Sequence, residues 1–162
     1  SRGLGDVYKR QMLMNTYIAT GEGANRYEKI PVQIYEEPAT AVVTVAKEIA
    51  NLIRSKAEKN EKCVLGLATG SSPIKLYEEL VRMHKEEGLS FQNVITFNLD
   101  EYLPMPKESE QSYHYFMHHH LFDHIDIDPA NIHIPDGTLT SEEIEKFCKA
   151  YDQQIELSLI HI

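Results

Sequence analysis

The stretch VITFNLDEYLP, residues 94–104, starts as a β-strand and ends in two adjacent carboxylates. Most of its first six residues are β-branched, aromatic or aliphatic, which favours a strand. Asp100 and Glu101 follow at once. Carboxylates in this position are either solvated turn residues or chemical groups placed at the edge of a sheet. The neighbouring segments help to decide between these two interpretations.

A second strand-like run, CVLGLA at 63–68, precedes this stretch and is continuously apolar, as in a strand covered on both faces. The loop TGSSP and a helical pattern separate the two runs. In that pattern we expect Ser72 to cap the helix, Pro73 to take its first position and Gly88 to end it. A right-handed crossover then makes the two strands parallel. The sequence therefore predicts an α/β fold with helices on both faces of a parallel sheet.

The same periodicities predict the remaining elements. An edge strand is expected within EKIPVQIYEEP, residues 28–38, and a helix within residues 41–59. After residue 104 we expect a helix around residues 113–122, a turn at Asp128 and the short run NIHI. A last helix should begin at Thr140 or Ser141. Its expected buried residues are Ile144, Phe147, Cys148 and Tyr151.

The composition excludes several classes of partner. The chain has 162 residues, enough for about one domain with a real core. Its 16 basic and 25 acidic residues give a net charge of −9, which disfavours nucleic acid and anionic membranes as partners. No apolar run approaches the roughly 18 residues of a membrane span. Two cysteines, Cys63 and Cys148, are too few for a disulfide framework, so we expect core positions for both and a cytoplasmic protein.

Both ends of the chain look foreign to the rest. SRGLGDVYKRQ (1–11) and LSLIHI (157–162) resemble translated adapter sequence. We expect residues 12–156 to form the amino-terminal part of a single domain. The alternative is a flexible tail at each end.

The loop LATGSSP, residues 67–73, follows one predicted strand and opens a helix. Backbone N–H groups and the positive end of the helix dipole converge there, which suits a phosphate monoester. Gly70 permits close approach of the backbone, and hydroxyl donors come from Thr69, Ser71 and Ser72. The loop is neither a nucleotide P-loop nor a G-x-G-x-x-G motif. An ordinary helix start is the alternative.

Neighbouring parallel strands end at one crevice, so we expect Asp100 close to the 69–72 loop. A carboxylate beside a phosphorylated substrate can act as a base toward a carbon-bound proton. Adjacent residues of an extended chain point to opposite sides, so only one of Asp100 and Glu101 should face the substrate.

The histidine-rich stretch YHYFMHHHLFDH, residues 113–124, suggests a metal site at first sight. It lacks the cysteine or carboxylate pattern that completes a recognisable zinc motif. We expect no metal there, with the aromatic residues packed and the histidines at the surface or helix end.

Four segments in combination resemble the amino-terminal half of the glucosamine-6-phosphate deaminase family. The match extends from Arg26 to Glu156. The spacing of the segments makes the combination specific, whereas each one alone is weak. The segments are GLATGSSPIKLYEELV, TFNLDEYLPM, QSYHYFMHHHLFDHIDI and NIHIPDG.

The resemblance implies a Rossmann-like subunit that converts glucosamine 6-phosphate to fructose 6-phosphate and ammonia without a cofactor. Asp100 matches the general base that moves the C2 proton toward C1. The phosphate loop matches Thr69, Gly70, Ser71 and Ser72. Tyr113 falls near the substrate, and Glu101 has a supporting or structural role. The family also implies a homo-oligomer for the full-length protein.

One part of the family's site is absent from these residues. A glycine-rich loop with DGH and FNEP motifs, which supplies a ring-opening histidine and its partners in the family, does not occur in the sequence. Three other readings stay open. A 6-phosphogluconolactonase shares the fold, although that family usually has Arg in place of Tyr102. The others are a sugar-phosphate-sensing domain and a pure interaction module.

Overall fold

A computed structural model describes residues 33–160 of the chain. The helices and strands among these residues all belong to the compact unit that begins at Pro38. In chain order they are α1 (Pro38–Glu58), β1 (Cys63–Leu67), α2 (Ile74–Glu87), β2 (Val94–Asn98), α3 (Tyr113–His120), β3 (Ile132–His133) and α4 (Ser141–Ile160), with short 3₁₀ turns at Phe122–His124 and Pro129–Asn131.

The three strands form a parallel sheet in the order β1-β2-β3. The register pairs Cys63 with Val94 at one end and Leu67 with Asn98 at the other. The predicted parallel pairing of the first two strands is confirmed. The short NIHI run supplies β3, in which His133 pairs with Phe97. The carboxyl ends of β1 and β2 therefore lie side by side.

One face of the sheet carries the main core. Leu65, Val94 and Thr96 lie on this face because they alternate along paired strands. Helices α1 and α2 cover it with residues at helical spacing, where i, i+3 and i+4 share a side. The buried residues of the two helices are Ala46, Ala50, Ile53, Tyr77, Leu80 and Met83.

Helix α4 packs near the opposite face. The Phe97 ring stacks on His133 at a centroid distance of 4.5 Å and meets the edge of Tyr151 at 5.6 Å. The Tyr151 hydroxyl lies 2.8 Å from the Asn98 carbonyl oxygen and 3.0 Å from that of His133. Burial raises the pKa of Tyr151 to about 12, so the hydroxyl stays a donor at neutral pH. This tyrosine ties α4 to the ends of two strands.

Several local predictions are wrong. No side chain caps α2, whose N-cap position is held by Pro73, so Ser72 does not cap it. Cys148 is exposed, whereas Cys63 is buried as expected. Position 148 lies beside the narrow stripe of Ile144, Phe147 and Tyr151, because neighbouring helical residues differ by about 100° in direction. The stripe itself is half-buried.

Other boundaries differ slightly or lie outside the described residues. Gly88 ends α2 in a left-handed conformation with φ 68°, as expected. Residues 33–37 form no strand, and the rest of the expected edge strand precedes the described residues. Residues 1–11 also precede them, and α4 continues through residues 157–160, so the assignment of both ends stays a prediction. None of the described helices has the length and apolar character needed to cross a membrane.

Candidate active site

Two loops start from the same edge of the sheet. Leu67 and Asn98 are register partners at the ends of β1 and β2. The Asn98 side-chain amide donates to the Leu67 carbonyl at 3.1 Å, which joins the two strand ends directly. Thr69 and Asp100 each follow shortly after these residues. The parallel register thus starts both predicted functional loops at one rim of the sheet.

Tyr113, the first residue of α3, connects the two loops. Its ring lies 4.8 Å from the ring of Tyr102, and its hydroxyl interacts with those of Tyr102 and Thr69. The pKa of Tyr113 is raised, first by the interaction with the Tyr102 side chain, then by burial and by the negative charge of Asp100. The structure therefore places Tyr113 beside Tyr102 and Thr69, and the charge of Asp100 also acts on Tyr113.

Glu101 turns away from this group and contacts the start of α3. Its Oε1 accepts hydrogen bonds from the backbone N–H groups of Tyr102 and Tyr113, both at 2.9 Å. Its Oε2 accepts from the N–H of His114 at 3.0 Å. Helix N-termini carry unpaired N–H groups and a partial positive charge, both of which suit a carboxylate. Asp100, by contrast, is exposed.

The 69–72 loop presents backbone and hydroxyl groups to solvent. Gly70 adopts φ 111°, which L-amino acids with side chains rarely adopt. The side chains of Ser71 and Ser72 are exposed, and that of Thr69 is half-buried. Beneath the loop, the hydroxyl of Tyr77 donates to the Ala68 carbonyl. The loop is thus anchored at its base, and no side chain caps the helix that it opens.

Gly137 supports the segment that follows Asp100. Its carbonyl accepts from the Met105 N–H at 2.6 Å. A Cβ at this position would lie 2.5 Å from the Tyr102 carbonyl oxygen and 2.6 Å from that of Met105. Neither Tyr102 nor Gly137 was predicted from the sequence to form part of the site. The available signal was the PDG tripeptide, which is typical of a tight turn.

Asn98 is a third site-forming residue that could not be singled out from the sequence. It is 2% exposed, and its Oδ1 has no hydrogen-bond partner among the described residues. A polar residue at the end of an apolar strand was the signal available. Its amide joins the strand ends, as described above, and so holds the rim on which the two loops begin.

The histidine-rich helix shows no metal-binding arrangement. The rings of His114 and His118 stack at 4.5 Å, and His118 Nδ1 lies 2.8 Å from an Asp123 carboxylate oxygen. Among residues 33–160, no cluster of three or more His, Cys, Asp or Glu side chains is placed to hold a metal ion. Phe116 and His120 are also in ring contact, so aromatic packing accounts for part of this stretch.

Comparison with known proteins agrees with this architecture. Residues 36–160 match the family model described as glucosamine-6-phosphate isomerases/6-phosphogluconolactonase. A glucosamine-6-phosphate deaminase of a Thermoanaerobacter species is 44% identical over 112 residues, which cover 69% of this chain and 44% of that protein. The chain spans less than half the length of this curated relative.

Two solved structures share the fold. A monomeric glucosamine-6-phosphate deaminase superposes with a TM-score of 0.65 and 38% identity, over 77% of this chain and 48% of the other. A 6-phosphogluconolactonase from Thermotoga maritima gives a TM-score of 0.61 with 25% identity, over 78% of this chain and 53% of the other. The Rossmann-like parallel sheet is therefore common to both activities.

Proposed function

Because the chain belongs to the family of glucosamine-6-phosphate isomerases and 6-phosphogluconolactonases, we propose that the full-length protein carrying it converts glucosamine 6-phosphate to fructose 6-phosphate and ammonia. The observation that carries the proposal is the common sheet edge from which the 69–72 loop and the segment with Asp100 both start. The similarity to proteins named glucosamine-6-phosphate deaminase supports this choice of substrate.

The substrate phosphate is assigned to the 69–72 loop. The glycine conformation at Gly70 and the exposed hydroxyls of Ser71 and Ser72 suit a phosphate group. The first N–H groups of α2, which no side chain caps, add donors and a partial positive charge. Thr69 is placed at the inner end of this loop, where it also contacts Tyr113.

Asp100 is assigned the role of general base. In the open-chain amino sugar it takes the proton from C2 and returns it to C1, while O1 gains the proton that the amine nitrogen loses, so that C2 becomes an imine. Hydrolysis of this imine gives the ketose, because water adds at C2 and the amine leaves as ammonia. These steps move protons and water only, so the proposed reaction needs no redox cofactor. An exposed carboxylate near a phosphate loop is suitably placed for such a transfer.

Tyr113 is assigned to substrate orientation. Its hydroxyl lies between the phosphate loop and the segment that bears Asp100. With a raised pKa it stays protonated at neutral pH and can donate to a sugar oxygen. Glu101 has a supporting role, since its oxygens are taken up by backbone amides.

Two assays test the proposal against its main alternative. The full-length protein is incubated with glucosamine 6-phosphate, and ammonia and fructose 6-phosphate are measured. A parallel sample receives 6-phosphogluconolactone, because a lactonase shares the fold. We expect ammonia release and no lactone hydrolysis above the spontaneous rate. Lactone hydrolysis alone would favour the alternative, and binding of the sugar phosphate without turnover would indicate a sensing domain.

Location and assembly are further proposals. The free thiols of Cys63 and Cys148 suit a reducing compartment, which supports the cytoplasm. The homo-oligomer implied by the family stays a prediction, and the structural relative described above is a monomeric enzyme. Light scattering on the full-length protein measures its state directly.

A further inference from the structure

We propose that Glu101 is a positioning residue, which clamps the segment after β2 to the first turn of α3 and so sets Tyr113 relative to Asp100. The inference rests on the proposed function, because it concerns the same site. The proposed role is more specific than general structural support, because Glu101 acts on one residue, Tyr113.

The backbone N–H groups at the N-terminus of α3 are all hydrogen-bonded. Glu101 accepts from the N–H groups of Tyr113 and His114. Ser112 Oγ accepts from the N–H of Tyr115 at 2.9 Å. The first three amides of the helix, which have no partner within the helix, are thus all bonded to side chains. The start of α3 therefore already binds the Glu101 carboxylate, and its first N–H groups are not available to a substrate anion.

Helix α2 differs from α3 in its N-terminus. Both helices begin near the same edge of the sheet, yet α2 has no side-chain cap. The two helix N-termini therefore suit different groups. The open start of α2 is suited to the phosphate, and the closed start of α3 is suited to holding a side chain in place.

The Glu101 carboxylate hydrogen-bonds to two separate places in the chain. Oε1 of Glu101 bonds to the N–H of Tyr102, the next residue, and to the N–H of Tyr113. Asp100 directly precedes Glu101 in the chain, and Tyr113 is one of the residues whose N–H group bonds to the Glu101 carboxylate. A shift of the carboxylate would move Tyr113 away from Tyr102 and Thr69. Misplacement of a reacting group by about 1 Å can cost on the order of 10²-fold in rate.

The test uses the full-length protein and compares Glu101→Gln and Glu101→Ala with the unmodified form. Gln keeps the length and one acceptor oxygen, and Ala removes all three hydrogen bonds. We expect kcat to fall about tenfold for Gln and about 10²-fold for Ala, with KM within about threefold, since the phosphate loop is untouched. Glu110→Gln, an exposed carboxylate in the same loop, is the matched control and should keep normal turnover.

A double-mutant cycle separates positioning from a loss of stability. Each Glu101 variant is combined with Tyr113→Phe, and binding stoichiometry for fructose 6-phosphate is measured by calorimetry. If Glu101 acts through Tyr113, the two losses in kcat are less than additive and the stoichiometry stays at one site per chain. Additive losses, or a reduced number of sites with normal turnover per site, would overturn the proposal.

The same experiment distinguishes this inference from the proposed function. An unmodified protein that releases ammonia, together with Glu101→Ala at full turnover, would overturn the clamp and leave the deaminase assignment intact. An unmodified protein that releases no ammonia would overturn both.

Discussion

Asp100 and Glu101 are neighbours in the chain, but their surroundings suit them to different tasks. The oxygens of Glu101 accept from three backbone amides. Asp100 is exposed, and its charge reaches Tyr113. A general base must have a lone pair free for the substrate proton. On the proposed reaction, Asp100 is therefore the residue to change first.

Asp100→Asn in the full-length protein should keep substrate binding and lose most turnover. Asn has nearly the same shape but cannot take up the proton, so we expect kcat to fall by about 10²-fold or more while KM changes little. Steady-state ammonia release measures both constants. Near-normal turnover in the variant would remove Asp100 from its proposed role.

Gly137→Ala should destabilise the segment that follows Asp100. The added Cβ would meet the Tyr102 and Met105 carbonyl oxygens at 2.5 and 2.6 Å, so backbone must move. Overpacking of this kind costs about 1–3 kcal/mol in the free energy of unfolding. Urea denaturation measures the loss, and Gly66→Ala is the control because its Cβ would meet nothing within 4 Å. Equal stability of both variants would contradict the close packing at Gly137.

Among the helices and strands, the histidines of α3 and β3 link stability to pH. Burial lowers the pKa of His114, His120 and His133, and neighbouring positive charges add to the effect at the first two. Below about pH 6.5, where histidine protonates in the unfolded chain, the unfolded state binds more protons than the folded state. Their contribution to stability is thus present above pH 6.5 and lost as the pH falls through that value toward the folded pKa.

We therefore expect the urea midpoint of the chain to fall between pH 7.5 and pH 5.5, values chosen to lie about one unit on either side of the histidine pKa. His133→Phe preserves the stacking on Phe97 and removes one titrating group, so it should reduce this pH dependence. The two proteins are compared first at pH 7.5, where the imidazoles are neutral in both states. A midpoint that does not change with pH would contradict the assigned cause.

For the protein chain of 162 residues taken alone, we expect marginal stability and no ammonia release above background. The segment after β2 exposes large apolar side chains: Leu99 is 88% and Leu103 48% exposed. Such groups promote association when nothing covers them. On the proposed reaction, the ring-opening histidine motif that the resemblance implies is not among these 162 residues, so we expect Asp100 to meet only the small open-chain fraction of the substrate.

Thermal unfolding, light scattering and an ammonia assay on this chain check the expectation together. Leu99→Ser should reduce association, and Gln154→Ser on α4, which changes an exposed polar residue, is the control and should leave association unchanged. A monodisperse chain that melts cooperatively and turns over glucosamine 6-phosphate would contradict the proposed set of catalytic groups.

The amino-acid sequence by itself determined the elements and their order. Apolar runs defined β1 and β2, helical spacing defined α2, and Gly88 marked its end. The parallel pairing followed, and with it the shared edge for Asp100 and the 69–72 loop. These features depend on periodicity and chain connectivity, which are local properties that a sequence displays directly.

Only the tertiary structure decided which groups meet across the site. It turned Glu101 toward the amides of α3, twelve residues further along, and brought Gly137 against the backbone of Tyr102. It also left Cys148 exposed, although its residue type and helical spacing favoured the core. The physical reason is that such contacts depend on the packing of distant segments, whereas residue spacing specifies only which side of its own helix or strand a side chain occupies.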